Sequence, residues 1–116
     1  MIQGVLYMRD NIKGGALTET TLLVLLALYE PRHGYGINKF IEEKTDGRVS
    51  LGAGTLYNAL DTLVKKQWII PCGEDSRKKD YVITDDGKRI VDVEKARLKQ
   101  IIDILSSIVG THTEHT

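Results

Sequence analysis

Apolar residues recur at helical spacing in four segments of the chain, and the first of these segments begins at Thr18. Thr18 is a favourable N-cap, and Leu17 and Leu22 flank it in the arrangement of a hydrophobic staple. The predicted helix continues to about Tyr29 and stops before Pro31. Because it is apolar nearly all round, we expect it at the centre of the core.

Two further helices are predicted between the first helix and the middle of the chain. One begins near Tyr35 and ends in Lys44, with Gly47 just beyond. Its inward positions follow i, i+3, i+4 spacing and are Ile37, Phe40 and Ile41. The other covers about residues 53–66, with a narrow apolar stripe that consists of Leu56, Leu60, Leu63 and Val64.

A β-hairpin and a long helix are predicted in the second half of the chain. The β-rich pieces are residues 68–72 and 80–83, and Pro71 makes the first of them an edge strand. Thr84 caps a helix that continues to about Val109. The order α-α-α-β-β-α predicts a mainly α fold with a small antiparallel β-hairpin, a winged helix-turn-helix followed by a long C-terminal helix.

The expected organisation has four parts. Residues 1–16 form an N-terminal segment that we expect to be helical, and residues 17–83 form a winged helix-turn-helix DNA-binding domain. Residues 84–109 form a C-terminal dimerisation helix, and residues 110–116 form a flexible tail.

Composition limits the class of protein without naming it. The 116 residues are enough for one core, and 16 basic and 16 acidic residues give a formal net charge of zero. That balance argues against coating nucleic acid by bulk charge, but it allows a local basic patch. With a single cysteine, Cys72, the chain forms no internal disulfide, and its longest apolar run is too short to span a membrane. We therefore expect a cytoplasmic location and no membrane association.

The third predicted helix carries the main functional signal. Opposite its apolar stripe, at 100° per residue, lie two hydroxyls, an amide and an ammonium group, with a second ammonium group close by. These residues are Thr55, Asn58, Thr62, Lys65 and Lys66. Such groups suit the major groove of DNA, where Thr and Asn read base edges and Lys neutralises phosphate. Tyr57 lies on the shoulder of the stripe, where its hydroxyl can reach a phosphate. The alternative is an ordinary solvated helix face.

The link between the two predicted strands is cationic. Arg77, Lys78 and Lys79 form a compact basic tip, and with Lys65 and Lys66 they outnumber Glu74 and Asp75 in this part of the chain. A cationic wing beside a polar helix is typical of phosphate binding next to groove recognition. The alternative is a solubilising hairpin turn.

The C-terminal helix has apolar residues at heptad spacing, which is typical of a helix–helix seam. The candidate dimer-interface residues are Val91, Leu98, Ile101, Ile102, Leu105 and Ile108. The alternative is that this face folds back on its own domain. Because so long a helix overhangs a three-helix core, we expect a homodimer.

Neither catalysis nor metal binding is predicted. His33 lies at a helix entrance, where capping or a phosphate contact is a more common role than that of a base, and His112 and His115 lie in the polar tail. We therefore expect no enzyme activity, no metal and no cofactor.

Three segments and the end of the hairpin resemble the PadR (phenolic-acid decarboxylase regulator) family. The matching residues are 22–28, 33–37, 54–60 and 81–84, within a region from about residue 17 to residue 89. The resemblance is to the smaller subgroup, which has a single C-terminal dimerisation helix.

This resemblance implies a dimeric repressor of double-stranded operator DNA that is released by a small hydrophobic or aromatic effector. By position, it also implies DNA contacts by Tyr35, Thr55, Tyr57 and Lys78. The competing interpretation is a winged-helix protein-interaction module without DNA binding, which the zero net charge and Asp80 favour.

Overall fold

A computed structural model describes residues 15–73 and 79–110 of the chain. Along the chain lie helices α1 (Glu19–Ala27), α2 (Gly34–Lys44) and α3 (Ala53–Lys65), strands β1 (Ile69–Cys72) and β2 (Asp80–Ile83), and helix α4 (Asp85–Leu105). A π-helical segment, Ser106–Gly110, follows α4. This order confirms the predicted mainly α, winged helix-turn-helix fold with an added C-terminal helix.

Side-chain caps define the starts of two helices. The backbone N–H of Thr21 donates to Thr18 Oγ1 at 3.1 Å, and that of Gly87 donates to Thr84 Oγ1 at 3.0 Å. Both hydroxyls satisfy first-turn donors that have no partner within the helix. Both caps were predicted from the sequence.

The hairpin is anchored to the start of α2 through Tyr81. Strands β1 and β2 pair antiparallel, with Pro71 opposite Tyr81. The backbone N–H and C=O of Tyr81 both bond to Arg32, at 2.9 and 3.1 Å, on the side away from β1. Pro71 therefore occupies a position that exchanges no hydrogen bonds with β2, which is where its missing N–H does no harm.

The core of residues 17–91 is built from all three short helices, both strands and the first two turns of α4. Its fully buried side chains include Val24, Leu25, Leu28, Ile37, Ile41, Leu60 and Ile69. Helix α1 lies in the core, as expected, but it is not buried all round: Leu26 within it is 38% exposed, and Tyr29 just beyond its end is 42% exposed. Phe40 and Val64 are only partly buried against the core.

Val91 also belongs to this core. The described chain divides into two compact units, of which one is residues 17–91 and the other contains residues 92–110. Val91 has an exposed fraction of 7% and packs in the core of the first unit. Its side chain is therefore not available to a partner subunit, and Val91 does not belong to the predicted dimer interface.

The second unit contains the rest of α4. Buried Glu94 accepts hydrogen bonds from Arg97 Nε at 2.9 Å and from Nη2 at 2.7 Å. Further along, exposed apolar residues cover one side of the helix, and Lys99 pairs with Asp103 at 3.4 Å on the other. Within the described ranges, no helix is long and apolar enough to cross a bilayer.

Three predictions fall outside the described residues. They are the helical character of residues 1–14, the flexibility of residues 111–116, and the position of Arg77 and Lys78 in the wing.

Candidate nucleic-acid interface

The outer face of α3 is polar and open to solvent. Thr55, Asn58, Thr62 and Lys65 are all exposed, as is Lys66 directly after the helix. On the opposite side, the apolar stripe of α3 lies in the core and consists of Leu56, Leu60 and Leu63. The structure therefore brings the predicted groove-facing residues together on one unobstructed face of the described chain.

The first turn of α3 is built from small residues. Its N-cap, Gly52, makes no side-chain hydrogen bond to the helix, so the first N–H groups stay available at the positive end of the helix dipole. A Cβ placed on Gly52 or Gly54 would meet nothing within 4 Å. Neither glycine has the positive φ that favours this residue type. Neither backbone conformation nor packing within the described chain therefore requires glycine at these two positions.

The turn before α3 is held from behind by Asn38, a residue that sequence reasoning missed. Asn38 Nδ2 donates to the carbonyl oxygen of Leu51 at 3.1 Å, and the Leu51 N–H donates to Asn38 Oδ1 at 2.9 Å. Both polar groups of the Leu51 backbone are thus fixed one residue before the N-cap. The available signal was an asparagine inside a predicted helix, where this residue type is unfavourable unless its side chain has a specific partner.

The same turn is also tied to the end of α2 and to the start of α1. The Thr45 hydroxyl donates to the carbonyl oxygen of Ile41 at 2.8 Å and accepts from the Val49 N–H at 3.1 Å. Arg48 forms a two-pronged ion pair with Glu19, whose Nη1–Oε1 distance is 3.2 Å. The hydrogen bonds from Arg48 lower the pKa of Glu19 below its ordinary value.

Two tyrosines and a histidine form a corner where α2 begins. Tyr35 is 73% exposed and stacks on His33, with ring centroids 6.4 Å apart and an interplanar angle of 20°. Tyr57, from α3, is 51% exposed and leans against Gly34. No side chain caps the first turn of α2, so its N–H groups and the two phenol hydroxyls are available to an anion.

The base of the wing carries an acidic residue with a partner. His33 Nδ1 lies 3.7 Å from Asp80 Oδ1, so the carboxylate that weakens the basic character of the wing lies beside the imidazole ring. Sequence reasoning missed this pair, since the two residues meet only after the hairpin docks on the start of α2. Lys79 next to it is exposed.

A second acidic residue, Asp61 on α3, affects the pKa of Tyr81. The pKa of the Tyr81 phenol is raised, first by burial and then by the negative charge of Asp61. Asp61 is itself exposed on α3, close to Thr62. The face is therefore mixed in charge, with its cations concentrated toward the C-terminal end of the helix at Lys65 and Lys66.

No group of histidine, cysteine, aspartate and glutamate side chains within the described ranges could hold a metal ion. The exposed side of α2 carries an open groove of about 310 Å³, lined by Tyr35, Asn38, Lys39, Glu42 and Glu43. Its lining is mostly polar and charged.

Comparisons with known proteins agree on the relationship of this chain. Residues 22–92 match the model of the transcriptional regulator PadR-like family. An uncharacterised 37.1 kDa protein in transposon TN4556 of Streptomyces fradiae is 39% identical over 77 residues, which are 66% of this chain and 22% of that protein. The chain thus spans less than a quarter of that relative.

Solved structures show the same fold. A transcriptional regulator from Clostridium thermocellum has a TM-score of 0.65 at 26% identity, over 78% of this chain and 92% of its own. A PadR family transcriptional regulator from Eggerthella lenta has a TM-score of 0.65 at 25% identity, over 78% of this chain and 80% of its own. Because the family model covers more than half of the sequence, this chain belongs to the PadR-like family of transcriptional regulators.

Proposed function

We propose that this protein represses transcription as a homodimer that binds operator DNA through α3. The observation that carries the proposal is the exposed polar face of α3, which lies opposite a fully packed stripe and next to the uncapped start of α2. A helix of 13 residues with one free polar side fits the major groove, which admits a single α-helix.

Each group on this face has a role that its chemistry suits. The Asn58 amide can donate and accept at once, as recognition of an adenine edge requires. Thr55 and Thr62 offer hydroxyls to bases or phosphates, and Lys65 and Lys66 neutralise phosphates at the far end of the helix. At the near end, the Tyr35 and Tyr57 hydroxyls join the first-turn N–H groups of α2 around a phosphate.

The wing contributes further positive charge to the proposed interface. Lys79 is exposed at the base of the hairpin, and Arg77 and Lys78 precede it in the sequence. We therefore assign the wing to phosphate contacts, and sequence recognition to α3.

The second part of α4 supplies the proposed dimer contact. Leu98, Ile101, Ile102 and Leu105 fall within about 100° around the helix, and their exposed fractions lie between 38% and 56%. Ile108 in the π-helical segment is 53% exposed. A second copy of the same face would bury this apolar surface around a two-fold axis. Two α3 helices would then read half-sites about 34 Å apart.

The repressor role and the effector rest on the family resemblance. A small hydrophobic or aromatic effector remains a prediction, and the polar groove on α2 does not match such a ligand. Regulators of this family are generally not enzymes, in agreement with the proposed function. The expected cytoplasmic location likewise remains a prediction.

The experiment is a fluorescence-anisotropy titration of DNA from the region upstream of the protein's own gene, repeated at several salt concentrations. We expect tight binding. The logarithm of the association constant should fall linearly as the logarithm of the salt concentration rises. The double variant Lys65→Ala/Lys79→Ala should flatten the slope by about 0.9 for each phosphate that is no longer neutralised. Lys95→Ala, which removes an exposed lysine of α4, is the matched control and should leave the slope unchanged.

The competing function is a protein-interaction module. An absence of preference for any upstream sequence, or a salt slope that the double variant leaves unchanged, would favour that function. The dimer is tested separately by light scattering, where Ile101→Asp/Leu105→Asp should give a monomer. A wild-type protein that stays monomeric at high concentration would contradict the dimer proposal.

A further inference from the structure

We propose that Asn38 is a positioning residue that sets how α3 enters the DNA groove, and thereby the sequence specificity of the protein. The inference rests on the proposed DNA-binding function and deepens it. Asn38 itself lies in α2 and bonds to the backbone of Leu51, not to a residue of the proposed contact face.

The link between Asn38 and Leu51 restrains the backbone in two ways. The Asn38 amide accepts from the Leu51 N–H and donates to the Leu51 carbonyl oxygen, at 2.9 and 3.1 Å. One side chain therefore fixes both polar groups of one residue, like the partner strand in an antiparallel pair. Such a link restrains rotation of the segment as well as its distance from α2.

Leu51 lies where the direction of α3 is decided. It immediately precedes Gly52, the N-cap of α3, and its own side chain packs partly against the core. The following turn has no comparable anchor, because Gly52 and Gly54 have no side chains and their open sides meet nothing within 4 Å. The direction of the first turn of α3 is thus set by two contacts. One is the hydrogen-bonded link from Asn38 to Leu51, and the other is the packing of Leu56 in the core.

Base recognition demands a precise placement of this turn. Base-reading groups must be held within about 0.5 Å and 10–20° of their productive geometry. Asn58 and Thr55 lie within the first two turns after the anchor, so a small rotation at Leu51 moves both of them relative to the bases. Phosphate contacts by long lysine side chains tolerate that rotation. Removal of the link should therefore weaken specific binding much more than non-specific binding.

The test compares affinities for operator DNA and for a scrambled duplex of equal length and composition. For Asn38→Ala we expect the specificity ratio to fall about tenfold or more, with non-specific affinity within about twofold of wild type. Asn38→Leu keeps side-chain volume while removing both hydrogen bonds, and it should give the same result if Asn38→Ala folds poorly. Thr45→Val is the matched control, since it removes hydrogen bonds from the other end of the same turn.

Hydrogen exchange supplies an independent readout without DNA. The Leu51 amide should exchange roughly tenfold faster or more in Asn38→Leu, while the amide of buried Leu60 keeps its wild-type rate. An unchanged specificity ratio in a folded Asn38 variant would overturn the inference, as would an equal fall of that ratio in Thr45→Val. Failure of the wild type to prefer operator DNA would instead contradict the proposed function itself.

Discussion

The hydroxyl of Tyr57 lies where a side chain on Gly34 would begin. A Cβ built on Gly34 would be 2.6 Å from Tyr57 Oη and 3.1 Å from Cζ. The absence of a side chain at the first residue of α2 therefore lets a residue of α3 rest against that helix start. This contact joins the two helices of the proposed DNA-binding unit at the point where a phosphate would approach.

Replacing Gly34 by alanine should displace Tyr57 while retaining the fold. The phenol can swing outward, and alanine is favoured over glycine in a helix by roughly 0.5–1 kcal/mol, so the net change in stability should be small. Operator affinity should fall several-fold in an anisotropy titration. The matched control is Gly36→Ala, where the new Cβ would meet only the Arg32 side chain, at 3.8 Å or more. If Gly34→Ala kept the operator affinity of wild type, the corner formed by His33, Tyr35 and Tyr57 would not be part of the DNA interface.

Gly54→Ala should stabilise the free protein and weaken its DNA complex. The new Cβ meets nothing in the chain, so the gain expected from helix propensity is roughly 0.5–1 kcal/mol. Only an external surface approaching α3 closely would suffer from that methyl group. Urea denaturation and anisotropy would be measured on the same sample. The control, Gly36→Ala, should gain stability and keep the DNA affinity of wild type. An affinity that does not fall would show that DNA does not approach this turn closely.

Gln67→Gly should stabilise the protein without changing DNA affinity. The end of α3 is a Schellman motif, in which Gln67 N–H donates to the carbonyl oxygen of Val64 at 2.9 Å and Trp68 N–H donates to that of Leu63 at 3.1 Å. Gln67 has a φ of 64°, in the left-handed region that disfavours side chains. Relief of this strain should raise the free energy of unfolding by about 1 kcal/mol. Gln67→Ala retains the strain and should give no such gain in urea denaturation.

The ion pair between Glu19 and Arg48 should make stability depend on pH on the acid side. Its hydrogen bonds lower the pKa of Glu19 in the folded protein below the ordinary value of 4.5. The stabilisation is therefore fully present above that value and is lost as the pH falls through the lowered pKa. In thermal melts from about pH 6 to about pH 3, Glu19→Gln should lose less stability than wild type. Glu43→Gln, which removes an exposed carboxylate of α2, should follow the wild-type curve; identical curves for all three proteins would contradict the role of the pair.

Local sequence signals were sufficient to predict the elements of the fold. Thr18 and Thr84 mark helix starts through interactions within one turn, and Pro71 marks an edge strand through the donor that it lacks. The open face of α3 was likewise predictable, because helical geometry alone puts Asn58 and Lys65 opposite the buried stripe.

Contacts between distant parts of the chain were not predictable in this way. Asn38 and Leu51 are 13 residues apart and meet only because α2 and α3 pack as they do. Heptad spacing could not separate Val91, which packs in its own core, from Leu98, which is exposed, because an intramolecular core and a partner helix both select apolar residues at that spacing. The pairing of Asp80 with His33 also required the docked hairpin.

The most direct test of recognition through α3 is the affinity ratio between operator and scrambled DNA, measured for wild type and for Asn58→Ala at one salt concentration. We expect wild type to prefer operator DNA by on the order of 10³ or more. Asn58→Ala should lower that ratio by about tenfold or more while leaving the affinity for scrambled DNA unchanged, because the variant removes a base-reading group and keeps the groups that bind phosphate. An Asn58→Ala variant that keeps the wild-type ratio would contradict recognition through the exposed face of α3.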